Sequence, residues 1–383
     1  MKVKRSFEEA MLVSNPSINV SQYIRFVNSR IFASLNNQLS GNVDTKLNQY
    51  KQIRFMRSML VTTVDTKGCL HTPLVVNFNY KIVPTILNLQ LQILISLILS
   101  PQTKDEMTVL AFENLFKNSL IHNSTEGLSF DYLKIKNEDE IDALISKVGF
   151  HKRKAKCIKE LAFLDGGIPL DYESLLALNG VGPKIAMLTL QNAIGEVAGI
   201  GVDTHVNRFS SKFEWINHKN GRKPLKNAEE TRKLLENSIV PQDIWAEFNL
   251  MLVGFGQDIC TSNKIPKCDI CLVKNCKDRR TEIDSSLNII SDIEDLDIGF
   301  KSKHTNQWLE LCQKKYDLKV RDDCESILGD WDLKFSKLNE QLNGFPLLQK
   351  EEELQINKRL KVEVKIEQSD FFSKASKTPK IRK

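Results

Sequence analysis

Between residues 85 and 260 the apolar side chains recur at intervals of three and four, and regular alternation is scarce. That period gathers the apolar residues of each segment on one helix face, so the spacing predicts an all-α core. "DEMTVLAFENLFKN" (105–118) aligns Val109, Phe112, Leu115 and Phe116, with Asp105 placed to cap its start. "NEDEIDALISKVGF" (137–150) stacks Ile141, Leu144, Ile145 and Val148 and ends at Gly149. "KRKAKCIKELAFL" (152–164) turns Ala155, Ile158, Leu161 and Ala162 inward beneath a strongly basic first turn. "DYESLLAL" (171–178) is begun by Asp171, and "PKIAMLTLQNAI" (183–194) by Pro183, at the helix position that tolerates proline. Short helices with tight connections make a bundle.

The longest apolar run, "LQILISLIL" (91–99), is about half what a bilayer crossing needs and reads as a buried helix. No secretory pattern of charged, apolar and small-residue zones is seen at the start, so a reducing compartment is expected and cysteines are read as ligands before disulfides. The net charge of +6 is unevenly spread: 284–332 is acidic, 333–383 is basic, and the body before them is positive, which suits an acidic partner. Residues 1–44 are polar and weakly patterned, and are expected to form a flexible N-terminal region. Residues 281–383 show few apolar clusters and no long periodic helix. They are expected to be a partly disordered C-terminal extension, acidic and then basic.

Three stretches carry candidate chemistry. In "LNGVGPKIA" (178–186), Gly180 and Gly182 let a turn between two helices point free N–H groups outward, a site for a phosphate, although the same turn can simply join two core helices. Lys184 stands in the first turn of the second helix, where peptide dipoles repel a cation. There it can serve as an amine nucleophile that attacks a sugar carbon and forms a Schiff base, or it can bind phosphate. In "GIGVDTHVNRF" (199–209), Asp203 is placed to cap a helix, or to act as a carboxylate opposite the lysine. In "CTSNKIPKCDICLVKNC", Cys260, Cys268, Cys271 and Cys276 bring four thiols within seventeen residues, which suits zinc or an iron-sulfur centre. Cys69, Cys157, Cys312 and Cys324 have no such spacing and read as ordinary thiols.

The hairpin and the Asp203 loop, together with "ILISLILSPQTKDEMT" (93–108) and "VGFHKRKAKCIKELA" (148–162), resemble four ordered segments of the endonuclease III family, the bifunctional DNA glycosylase/AP lyases of base excision repair. The likeness runs from about Arg54 to Cys276. It implies a two-lobed helix-hairpin-helix fold, with a six-helix bundle at 84–198 and a second lobe of 45–83 and 199–280 around the cysteines. The family's Schiff-base lysine falls on Lys184 and its catalytic aspartate on Asp203. The glutamine that fills the gap left by a flipped nucleotide falls on Gln102, and the wedge on Phe150. The four cysteines fall at the family's [4Fe-4S] cluster, with one residue moved from the last gap to the first, and zinc is the alternative. Asn179 departs from the family's usual proline, and Pro101 from a small residue.

The activity this implies is excision of oxidised pyrimidines from double-stranded DNA by a monomer, with β-elimination at the abasic site. The alternative is a non-catalytic helix-hairpin-helix DNA-binding protein. In the tail, Lys361 and Lys365 each sit in an apolar-Lys-any-Glu pattern that resembles a SUMO acceptor, and "SKASKTPKIRK" (373–383) suits nuclear import. The stretch around Arg25 and Arg30 weakly resembles a mitochondrial transit peptide, against which Glu8 and Glu9 count. The nucleus is the expected location, with the mitochondrion a second one.

Overall fold

The computed structural model of the chain describes residues 19–32, 45–122, 125–216, 223–238, 240–273, 275–280, 303–321 and 330–344. It is almost wholly helical and is organised around two apolar cores. Among the described residues the only sheet is a two-residue antiparallel pair, β1 (Leu60–Val61) with β2 (Lys319–Val320).

The first core is built from α1 (Val20–Phe32) and then, after α2 (Thr45–Met59) and α3 (Thr63–Lys67), from α4 (His71–Asn79) and α5 (Ile86–Leu99). Twelve of the fourteen residues of α5 are buried, as expected of a helix apolar on all sides. Two of its glutamines tie it to neighbouring segments: Gln92 Nε2 donates to Leu128 O at 2.9 Å and Gln90 Nε2 to the Tyr23 hydroxyl at 2.8 Å. Around α5 lie α6 (Asp105–Ile121), α7 (Phe130–Ile135), α8 (Glu138–Leu144), α9 (His151–Leu161), α10 (Tyr172–Leu176) and α11 (Pro183–Thr189). A π turn, Leu190–Ile194, prolongs α11 until Gly195, at φ 76°, stops it.

The second core joins α2 to α12 (Thr204–Lys212), α13 (Ala228–Ser238) and α14 (Trp245–Gly254), and then to α15 (Lys303–Tyr316). The last helix, α16 (Trp331–Gly344), returns to the first core through Trp331, Phe335 and Leu338.

The structure departs from the sequence expectation at both ends of the chain. Within the expected flexible region 1–44, residues 20–32 form α1, which buries Val20, Tyr23, Ile24, Val27 and Ile31 at helical spacing. Within 281–383, α15 buries Trp308, Leu309 and Cys312 in the second core, and Arg25 of α1 pairs with Asp332 of α16 at 2.9 Å. Residues 70–83 also pack on the first core, through Leu74 and Val76, and not with the second. Asp105 is the first residue of α6, preceded by Lys104 in the cap position, so it is not the cap. The segment 137–150 leaves the helix after Leu144 and turns toward Phe150. Cys324, Lys361, Lys365 and 373–383 lie outside the described residues.

Beside β1 and β2 sits a buried charge cluster. Arg57 holds Asp65 with two hydrogen bonds, at 2.6 and 2.9 Å, and Arg321 adds a third at 2.8 Å. Burial would raise the Asp65 carboxyl, but the two guanidinium groups outweigh it and hold it below its usual range.

Candidate active site

A cleft of about 1220 Å³ opens between the two cores and is lined by residues of both. Lys184 enters it from the start of α11 and Asp203 from the start of α12. The Lys184 ammonium forms no hydrogen bond or ion pair among the described residues, which leaves it available in the cleft. Asp203 caps α12, accepting from Val206 N at 2.8 Å through Oδ1. Its capping role is thus compatible with a second role for Oδ2, which takes no hydrogen bond among the described residues.

The hairpin before Lys184 depends on its glycines in different ways. Gly180 has φ 80°, and a Cβ there would lie 2.7 Å from Cys157 Sγ, so both conformation and space demand glycine. Gly182 caps α11 and would meet nothing within 4 Å, which leaves the backbone open to an incoming group. Pro183 takes the first helical position. Asn179 has a structural use: its Nδ2 donates to Glu160 Oε2 at 2.6 Å, tying the hairpin to α9.

Three further cleft residues were not read from the sequence as site residues, Asp105 having been read only as a helix cap. The Asp105 carboxylate, at the start of α6, accepts from Gln257 Nε2 at 2.7 Å across the cleft. Burial raises it above the usual carboxylate range, against the hydrogen bond and the nearby Lys184 charge. His205 is held below its usual value by burial, with Arg208 and Lys184 adding to the effect and Asp203 opposing it. Its ring is accommodated only because residue 256 is glycine, where a Cβ would collide with Nδ1. The signal for Asp105 and His205 was their place inside the two motifs. Gln257 had no such signal.

Gln102 and Phe150 lie on adjacent loops. Both are non-glycine residues in the left-handed region, at φ 53° and 57°, and Phe150 is 64% exposed. Gly149 N donates to Thr103 Oγ1 at 3.1 Å, and a Cβ at Gly149 would stand 2.5 Å from Gln102 O. Such backbone strain persists only where surroundings enforce it. Gln102 lines the cleft, and Phe150 is not among its lining residues.

The four cysteines of the sequence cluster line one small pocket beside Phe213, Phe255 and Arg279. Among the described residues no three His, Cys, Asp or Glu side chains are already disposed as a metal cage. The donor set nevertheless fits a thiophilic centre. Burial pushes the Cys271 thiol up to about 12, with the neighbouring Cys260 and Cys276 adding to the rise, and a bound cation would reverse that. The protein adds its own braces to the loop. Arg279 donates to the carbonyls of Cys268, Cys271 and Val273, and Arg208 to Cys260 O at 2.8 Å. From α15, Trp308 Nε1 donates to Ile270 O at 2.8 Å and the Tyr316 hydroxyl to Asp269 Oδ1 at 2.6 Å.

Residues 95–239 match the family model of the HhH-GPD superfamily base excision DNA repair proteins. The helical fold, the hairpin and this match define a helix-hairpin-helix DNA glycosylase of base excision repair. The chain is 38% identical over 277 residues to Endonuclease III homolog 2 of Saccharomyces cerevisiae, spanning 68% of this chain and 69% of that one. It is 38% identical over 229 residues to Endonuclease III-like protein 1 of Bos taurus, spanning 58% and 68% respectively. With Endonuclease III homolog of Encephalitozoon cuniculi it shares 37% over 235 residues, 60% of this chain and 92% of the relative. The chain therefore belongs to the endonuclease III family, among its eukaryotic members.

Proposed function

We propose that the protein is a bifunctional DNA glycosylase and AP lyase that removes oxidised pyrimidines from double-stranded DNA. The observation that carries this reading is that Lys184 and Asp203, one from each side, line a single cleft between the cores. The hairpin N–H groups at Gly180 and Gly182, with the α11 terminus, would hold a backbone phosphate without reading sequence. Gln102 and Phe150 would enter the space left when the damaged nucleotide turns out of the stack.

The Lys184 amine attacks C1′ of the flipped nucleotide, its lone pair forming the N–C1′ bond as the base leaves with the glycosidic electrons and takes up the proton that the nitrogen sheds. The Asp203 carboxylate faces the positive charge that develops on the sugar and stabilises it. The nitrogen lone pair then breaks the C1′–O4′ bond, O4′ taking a proton from water, and the resulting iminium withdraws electrons from C2′. Loss of a C2′ proton then expels the 3′ phosphate by β-elimination, and water releases the lysine. Cys260, Cys268, Cys271 and Cys276 would hold a [4Fe-4S] cluster, whose part is to brace the loop of the second core. The family relationship supports nuclear or mitochondrial DNA as the working substrate. SUMO attachment at Lys361 or Lys365 is proposed on their sequence pattern alone.

Borohydride reduction tests the chemistry, because it converts the imine to a stable amine. The protein should be trapped covalently on duplex carrying an oxidised pyrimidine. Lys184→Gln should abolish trapping while DNA binding persists through the backbone. Asp203→Asn retains a capping residue and should slow base excision by about 10²–10⁴-fold. Undiminished trapping by Lys184→Gln would move the nucleophile elsewhere, and no trapping by the parent protein would favour a non-catalytic DNA-binding role.

A further inference from the structure

Lys154 is a lysine buried to 7% exposure in the first turns of α9, where an ammonium needs all three of its protons satisfied. Its Nζ donates to Leu99 O at 2.7 Å, Pro101 O at 2.8 Å and Thr103 Oγ1 at 3.1 Å. The first two acceptors are carbonyls at and just beyond the C-terminus of α5, where backbone oxygens lack intrahelical partners and a cation is favoured. All three flank Gln102. The Phe150 loop leads directly into the same helix, whose first backbone bond runs from Lys154 N to Phe150 O at 3.1 Å. Thr103 Oγ1 closes the ring by accepting from Gly149 N as well.

We infer that Lys154 is a positioning residue that locks the Gln102 and Phe150 loops into one two-pronged unit, and so sets how strongly the protein prefers duplex with a missing base over intact duplex. This rests on the reading of Gln102 and Phe150 as the groups that enter DNA. Each loop holds a non-glycine residue in the left-handed region, a strained conformation, so neither is expected to keep its geometry unaided. Burial lowers the Lys154 amine to about 8, the direction expected of a cation drawn away from water. Lys152, Arg153 and Lys156, in the same turns of α9, are exposed and suited to phosphate. Of these four basic residues, the inward Lys154 is the one whose side chain fixes backbone.

The test uses the full chain and a duplex holding a tetrahydrofuran abasic site opposite 2-aminopurine, whose fluorescence rises when it is unstacked. Binding of the parent protein should raise the fluorescence. Lys154→Met keeps the length of the stem and removes the three donors. It should lower the ratio of abasic to undamaged affinity about tenfold, the equivalent of about 1.4 kcal/mol, and suppress the fluorescence rise, with a far-UV spectrum like the parent's. Thr103→Val removes one acceptor with little change of volume, and should give a smaller loss in the same direction should Lys154→Met fail to fold. Parent-like discrimination and fluorescence in folded Lys154→Met or Thr103→Val would overturn the positioning role. Gln102→Ala and Phe150→Ala are measured beside them: if neither lowers the signal, the wedge reading itself fails, whatever Lys154 does.

Discussion

Replacing Trp308 by alanine tests whether α15 is part of the working fold. The indole is fully buried, its ring lies 6.2 Å from that of Phe55, and its Nε1 donates to Ile270 O between Cys268 and Cys271. Emptying a buried tryptophan site costs about 3–5 kcal/mol, and the orphaned Ile270 carbonyl places this case near the top of that range. For a chain whose whole stability is on the order of 5–15 kcal/mol, that is a large fraction. The midpoint of thermal unfolding, followed by circular dichroism, should fall by roughly 10 °C or more. Trp308→Phe keeps most of the packing and loses only the donor, so it should fall by less than half as much. A Trp308→Ala protein melting within about 2 °C of the parent would refute the seating of α15 on the cysteine loop.

Asp65 should dominate part of the acid response. Its folded pKa lies below the unfolded value of about 3.9, so its contribution is complete above that value and is lost as pH falls through the folded pKa. Asp65→Asn should cost about 3–5 kcal/mol at pH 7 by leaving Arg57 and Arg321 without their carboxylate, and should flatten the fall in stability below about pH 4 measured by urea titration. An unchanged acid limb would remove Asp65 from that role. Gly180→Ala should destabilise by about 1–3 kcal/mol, and adding Cys157→Ala should recover the part due to the 2.7 Å clash while the φ of 80° keeps the rest. Full recovery in the double variant, by the same titration, would mean that backbone conformation contributes nothing. Purified protein should be yellow-brown and carry iron and sulfide, and Cys268→Ala should lose both colour and stability. Metal analysis returning zinc without iron would reject the cluster.

The helices around the cleft were legible because their apolar residues repeat cleanly, and some of the chain's helices also begin at an aspartate cap. Asp171 caps α10, accepting from Ser174 N, and Asp203 caps α12 as its position suggested. Both ends of the chain were misread for a common reason. In α1, arginine, serine and asparagine interrupt the stripe of Tyr23, Ile24, Val27 and Ile31, and in α15 lysines and glutamines surround Trp308 and Cys312. Their stability comes from surfaces that local periodicity does not represent. The end of α8 was overrun because Ile145 and Val148 are buried just as helical residues would be, although the backbone there is already turning. Within the site, the placement of Lys184 and Asp203 could be anticipated from their motifs. Asp105 with Gln257, and Lys154 with Pro101, are contacts between distant segments that no local pattern encodes.

The pairing of α1 with α16 also bears on the order in which the protein can fold as it is made. Roughly 300 residues separate Phe32 from Trp331, so at about 5–20 residues per second α1 waits some 15–60 s for this partner to leave the ribosome. During that interval the surface destined for Trp331 and Phe335, including Phe78, remains uncovered on an otherwise assembled lobe. The first lobe is thus the earlier to be synthesised in bulk yet the last to be sealed, and a ribosome stalled before residue 331 would present an apolar face to chaperones.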